Sequence, residues 1–110
     1  MQTIAIPLVG TYFRGSYAVA RVQSLAIDEE LSLVPEPSNQ FDPEAIQVHT
    51  LDDECFIGFV ANKGWEEEKA QVWHHIDNGG TTRTTFQGVE EVGNKQQYVL
   101  QIELIEEEDD

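Results

Sequence analysis

Between Leu31 and Val48 the chain reads LSLVPEPSNQFDPEAIQV. Leu31 and Leu33 form a strand-like run. It breaks into a turn-rich hinge, Pro35-Glu36-Pro37-Ser38-Asn39-Gln40, and a second alternating run follows at Ala45-Ile46-Gln47-Val48. Two strands joined by a Pro-punctuated connection are therefore expected. Phe41-Asp42-Pro43 stands out inside that connection. Turns take Pro, Asn and Asp for backbone reasons, and none of those reasons calls for phenylalanine.

The remaining pattern is mostly β. Ile4, Ile6 and Leu8 alternate with smaller or polar residues and predict a strand running on to Phe13, with a break at Gly15-Ser16. Tyr17 to Gln23 reads as more sheet or a short turn. Asp52-Asp53-Glu54 is a polar turn between His49-Thr50-Leu51 and Cys55-Phe56-Ile57, which suggests a hairpin. Thr81 to Val92 is rich in β-branched residues, and Gly93-Asn94 turns the chain. Tyr98, Leu100, Ile102 and Leu104 then alternate against Gln97, Gln101 and Glu103.

One helix is expected, from Gly64 to Asn78. Trp65, Val72, Trp73 and Ile76 fall near one face at helical spacing, with the Lys69 stem between them. Glu66 to Glu68 lie in its first turn and His74-His75 in its last, as the helix dipole favours. Asn78-Gly79-Gly80 is a stop signal. Both tryptophans are expected in the core.

With 110 residues there is room for one domain with one modest core. Residues 1–105 are assigned to it, and Glu106 to Asp110 to an acidic, disordered tail. The lone Cys55 excludes an internal disulfide and reads as a small core residue. Met1-Gln2-Thr3-Ile4 shows no basic region before a long apolar run, so no signal peptide is expected. No stretch approaches the ~18 apolar residues of a membrane span. A soluble, cytoplasmic protein is the expectation.

Charge narrows the partners. Twenty-one acids against six bases give a formal net charge of −15, and the tail supplies only five of those charges. Nucleic-acid binding draws much of its affinity from Lys and Arg on phosphates, so the global field opposes a polyanion. A local site still works at close range, because salt screens charges beyond roughly 8–10 Å.

Catalytic and metal signatures are absent from the sequence. No glycine-rich phosphate loop, no G-x-S-x-G and no cysteine–histidine pair stands out. His74 and His75 are adjacent on the helix, so their side chains diverge by about 100°, and a structural zinc site needs about four ligands in local pairs. No metal, no cofactor and no enzymatic activity are expected.

The order E-P-x-N-x-aromatic-D-P-x-A-I-x-V resembles the core signature of HIRAN domains, small barrel-like modules found fused to SNF2-type DNA translocases and also standing alone. Leu8-Val9-Gly10-Thr11-Tyr12-Phe13-Arg14-Gly15 is similar to the family's opening strand, and Phe56-Ile57-Gly58-Phe59-Val60 to its I-G-aromatic strand. The similarity spans roughly Ile4 to Ile105. It implies a non-catalytic module that binds single-stranded DNA ends. Phe41 would stack on the terminal base and Asp42 would accept hydrogen bonds from the free 3′-hydroxyl. Tyr12 would be a second stacking aromatic, with Arg14 and Lys63 as phosphate contacts.

Stacking is worth roughly 1–3 kcal/mol per base and tolerates sequence variation. The bland alternatives are a core Phe41, an Asp42 that caps the turn before Pro43, and a Tyr12 in ordinary strand packing. The chain also departs from the family: Thr11 and Asn62 stand where DNA-binding members carry basic residues. Phe59, where some members carry a polar contact residue, is expected in the core.

The fold expected is therefore mainly β with one helix, a small OB-like or mixed β-barrel of about six strands. The alternative function is a protein-interaction module whose acidic face meets a basic DNA-processing partner. A small hydrolase built on carboxylates is a third, weaker reading.

Overall fold

The alternation at Tyr98–Leu104 becomes one wall of a closed barrel. The protein, seen here in a computed structural model, is described over residues 2–106. Six strands, β1 (Gln2–Val9), β2 (Glu30–Pro35), β3 (Ile46–Thr50), β4 (Phe56–Val60), β5 (Thr81–Val92) and β6 (Lys95–Ile105), close in the order β1-β4-β3-β2-β5-β6. All neighbours are antiparallel. Closure removes the sheet edges around the barrel, while Glu90–Val92 and Lys95–Gln97 at the tip of the β5–β6 hairpin pair only with each other.

Period-two patterning decides what faces inward. Ile4, Ile6 and Leu8 of β1 meet Leu100, Ile102 and Leu104 of β6, and Ile46, Val48, Ile57 and Phe86 complete the core. Each such side chain contributes about 1.5–3 kcal/mol by leaving water. The expected mainly-β, OB-like barrel and its six strands are what the chain forms. Among the described residues no helix is long and apolar enough to cross a membrane. Glu106 is exposed; the rest of the expected tail lies outside the described residues.

The helical content differs from the expectation. β1 does not run on to Phe13: it ends at Val9, Gly10 takes a left-handed conformation (φ 78°), and Thr11–Arg14 coil into a 3-10 turn. After Gly15, Ser16–Gln23 forms a helix, α1, where sheet or a short turn was expected. The apolar residues Tyr17 and Val19 suggested period two. The buried set is Ala18, Val22 and Leu25, which recurs at helical spacing, and Val22 and Leu25 join the core. The expected helix is present as α2 (Glu66–Asp77). It packs Val72 fully, and Trp65, Trp73 and Ile76 partly, against the core.

Two local devices fix the parts that matter for the site. In β4 the ladder runs Val48↔Gly58 and then His49↔Phe56, so Ile57 is an extra residue and the strand bulges. Residues three apart on a regular strand point to opposite faces. The bulge instead brings Phe56 and Phe59 into contact, with ring centroids 5.2 Å apart at 76°. Gly58 (φ 153°) permits the bend, and a Cβ there would sit 2.5 Å from the Val9 carbonyl oxygen.

At the other end of α2, His75 Nε2 lies 2.8 Å from the Thr81 carbonyl and 3.1 Å from that of Ile105. The helix is thereby tied to the starts and ends of the long hairpin strands.

Candidate nucleic-acid interface

The β2–β3 connection is built by short-range hydrogen bonds. Glu36 N–H donates to the Ala45 carbonyl (2.9 Å) and Asn39 N–H to the Glu36 carbonyl (3.1 Å). Asn39 Oδ1 then accepts from both Phe41 N–H and Asp42 N–H, each at 2.9 Å. Asp42 Oδ1 accepts from Glu44 N–H (3.0 Å), an Asx turn of the kind that places Asp before Pro. The turn is thus held by bonds within itself, from backbone carbonyls and from the Asn39 and Asp42 side chains. Its consequence is that Phe41 is held out in solvent, 97% exposed. The core alternative for Phe41 is excluded; the capping role for Asp42 is present.

Asp42 has a second partner. Its Oδ2 accepts from the ammonium of Lys69, in the middle of α2. The Lys69 side chain is only 2% exposed, against 31% for Asp42. Lys69 does not snorkel to water. It reaches under the turn and ends on the one carboxylate that carries the proposed recognition role. Beside it, Glu44 and His74 stand 3.9 Å apart.

Tyr12 sits on the 3-10 turn and is 83% exposed, with Phe13 81% exposed beside it. Their rings meet edge-on at 6.0 Å. A groove of about 530 Å³ runs from Tyr12 along α1, lined by Gly15, Ser16, Val19, Ala20 and Gln23. The strand-packing alternative for Tyr12 does not hold.

Arg14, on the same turn, lies with its guanidinium carbon 4.7 Å from the Phe56 ring centroid. Such stacking leaves the guanidinium N–H edges free for a phosphate. Lys63 is exposed in the connection between β4 and α2. Among the described residues neither Arg14 nor Lys63 takes part in an ion pair, whereas Arg21, Lys69 and Arg83 do.

The Tyr12 turn and the Phe41 turn adjoin neighbouring strands, β4 and β3. The 3-10 turn packs over β4 near Gly58 and Phe56. The β2–β3 connection leaves the barrel at the Pro35↔Ile46 pair, one step beyond Gln47↔Phe59. Between them lies an outward aromatic strip that the sequence did not reveal. His49 stacks on Phe56 (5.0 Å, 16°), and Phe59 meets Phe56 edge-on. Phe59, expected in the core, is half-buried in this strip. His49 Nε2–H donates to Gln47 Oε1 (2.8 Å), and Gln47 Nε2 donates to Glu36 Oε2 (2.8 Å), so the strip is tied back to the Phe41 turn. The only signal in the sequence was Gly58 between two aromatics.

The strongest acid–base cluster is elsewhere and is structural. Arg21 of α1 binds Glu29, Asp52 and Asp53 at 3.1, 2.8 and 3.2 Å. The Thr50 and Tyr17 hydroxyls donate to Asp53 and hold its carboxyl well below the usual range. The same bond pushes the Tyr17 phenol up, and burial pushes the Cys55 thiol up. Cys55, expected as a core residue, is half-buried just before β4, and its raised pKa favours the thiol over the nucleophilic thiolate. Among the described residues no group of three or more His, Cys, Asp or Glu side chains is placed to hold a metal ion.

A closed antiparallel barrel with a helix set against it, carrying exposed aromatics on ordered turns, defines an OB-like class of module. No protein-family model matches the sequence, and no curated protein matches it. Solved structures do. The chain is similar to the HIRAN domain of human HLTF, with a TM-score of 0.66 and 16% identity over 93% of this chain and 74% of that one. It is similar also to a protein from Lactobacillus plantarum, with a TM-score of 0.64 and 19% identity over 93% of this chain and 99% of that one. The fold is therefore that of a HIRAN domain.

Proposed function

We propose that this chain is a non-catalytic nucleic-acid-binding module that engages the 3′ end of a single strand. The observation that carries this reading is Phe41: an almost fully exposed phenylalanine carried on a turn whose backbone is bonded to Asn39 and Asp42 side chains. An exposed aromatic gains nothing for the folded state, but offers a ready-made face for a base. Asp42 beside it has carboxylate lone pairs open to solvent and accepts the terminal hydroxyl. Tyr12 supplies a second platform and the Arg14 and Lys63 side chains meet phosphates. The HIRAN fold supports the assignment.

The net charge of −15 sets the affinity. Among the described residues only these two cations near the site are outside ion pairs, so binding is weak at physiological salt and strong only at low salt. The test is fluorescence anisotropy of a short labelled DNA strand against wild-type protein and Phe41→Ala. Wild-type binding that is lost in the variant supports the reading; equal binding by both proteins removes it.

A further inference from the structure

Lys69 is an unusual residue to find where it is. An ammonium that is almost fully buried loses its hydration, and an apolar side chain of similar volume commonly serves stability as well or better. Core packing therefore does not explain a lysine at this position. Its single described partner is Asp42, 27 residues away in sequence and next to the exposed Phe41.

We propose that Lys69 is the positioning residue of the end site. Its buried ammonium cancels the Asp42 carboxylate charge, so that a nucleic-acid terminus approaches a hydrogen-bond acceptor instead of a bare anion. This rests on the end-recognition reading above.

The chemistry follows from the lone pairs. A carboxylate has about four acceptor positions. Glu44 N–H takes one on Oδ1 and Lys69 one on Oδ2. With the side chain 31% exposed, the positions still open face solvent, where a terminal hydroxyl can donate. The last internucleotide phosphate must come close to the same carboxylate. Without Lys69 it would meet an uncompensated negative charge on a protein that is already strongly acidic. With Lys69 the pair is neutral overall, and discrimination against a terminal phosphate comes from the lost hydroxyl donor and a reduced repulsion.

Two variants test this with two strands that differ only at the terminus, one a 3′-hydroxyl and one a 3′-phosphate. In Lys69→Met the Asp42 charge stands alone. Both strands bind more weakly, and the phosphate-ended strand loses more, so the hydroxyl preference rises by on the order of tenfold. A lysine that merely stiffened the turn would give the opposite sign, because a disordered Asp42 would let the preference fall to unity. In Asp42→Asn the amide oxygen still accepts from Lys69, the ammonium is uncompensated, and the preference swings past unity toward the phosphate end.

A hydroxyl preference that is unchanged or reduced in Lys69→Met overturns the proposal and leaves the end reading standing. If Lys69→Met fails to fold by circular dichroism, Asp42→Asn decides: a preference that does not cross unity overturns the proposal. Wild-type protein that binds neither strand, or both equally, overturns the end reading and the proposal together.

Discussion

Replacing Asp42 with alanine strips the only described acceptor from a buried ammonium, and the cost can be worked from the structure. Breaking a buried ion pair by removing one partner costs about 3–5 kcal/mol. The Lys69 side chain is 2% exposed, but that of Asp42 is 31% exposed, so water reaches part of the vacated site. That discount brings the ion-pair loss to about 2–3 kcal/mol. Losing the Asx bond to Glu44 N–H adds about 1 kcal/mol. The sum is about 3–4 kcal/mol out of the 5–15 kcal/mol typical of a domain.

At about 2.1 cal/mol/K of unfolding entropy per residue, the melting midpoint falls by roughly 13–17 °C for a chain of this length. Urea and thermal unfolding followed by the fluorescence of Trp65 and Trp73 measure it. Lys69→Met in the Asp42→Ala background should recover about 1.5 kcal/mol or more, because the unpaired ammonium is gone. An Asp42→Ala protein within about 1 kcal/mol of wild type, or strict additivity in the double variant, would refute the buried-pair argument. The functional test of Asp42 therefore belongs with Asp42→Asn, which keeps an acceptor for Lys69 and gives up only the bond from Glu44 N–H.

Three further outcomes are expected. Phe41→Ala should leave stability within about 0.5 kcal/mol of wild type, since the ring touches little, while strand affinity falls by about 1–3 kcal/mol; a large drop in the melting midpoint would show that the ring is packed. Gly58→Ala should destabilise by about 3 kcal/mol, because φ 153° and a Cβ 2.5 Å from the Val9 carbonyl force the bulge open; a chemical denaturation midpoint equal to wild type would contradict this.

Acid should unfold the protein partly through Asp53. Its folded pKa is depressed, so its contribution is present above the unfolded carboxylate value, about 3.9, and is lost as pH falls toward the folded value. Asp53→Asn should flatten the stability slope between about pH 5 and pH 2, and an unchanged slope would assign the acid sensitivity to other carboxylates.

Much of the barrel was legible because its strands bury one face and show it as alternation. The β5–β6 hairpin, the turn at Gly93-Asn94 and the β3–β4 hairpin all follow from local pattern. The α1 segment was not legible because it is short and its buried face is carried by Ala18, a residue with no hydrophobic contrast, while the conspicuous Tyr17 faces solvent. The aromatic strip depends on a bulge, which shifts register by one residue and has no signature beyond Gly58.

At the site, the turn chemistry of Asn39 and Asp42 could be anticipated from residue type, and so could an odd role for Phe41. The partnership of Asp42 with Lys69 could not. It joins a loop to a helix far along the chain: helical spacing put the Lys69 stem on the apolar face, but nothing local says where its ammonium ends.

The central claim is that the Phe41 turn receives a strand terminus. The most direct test titrates wild-type protein into a short labelled single strand at low salt, with a free 3′-hydroxyl in one series and a 3′-phosphate in the other. Saturable binding that favours the hydroxyl end and weakens steeply with added salt is the result predicted. Binding that is absent, or identical for the two ends, would contradict it.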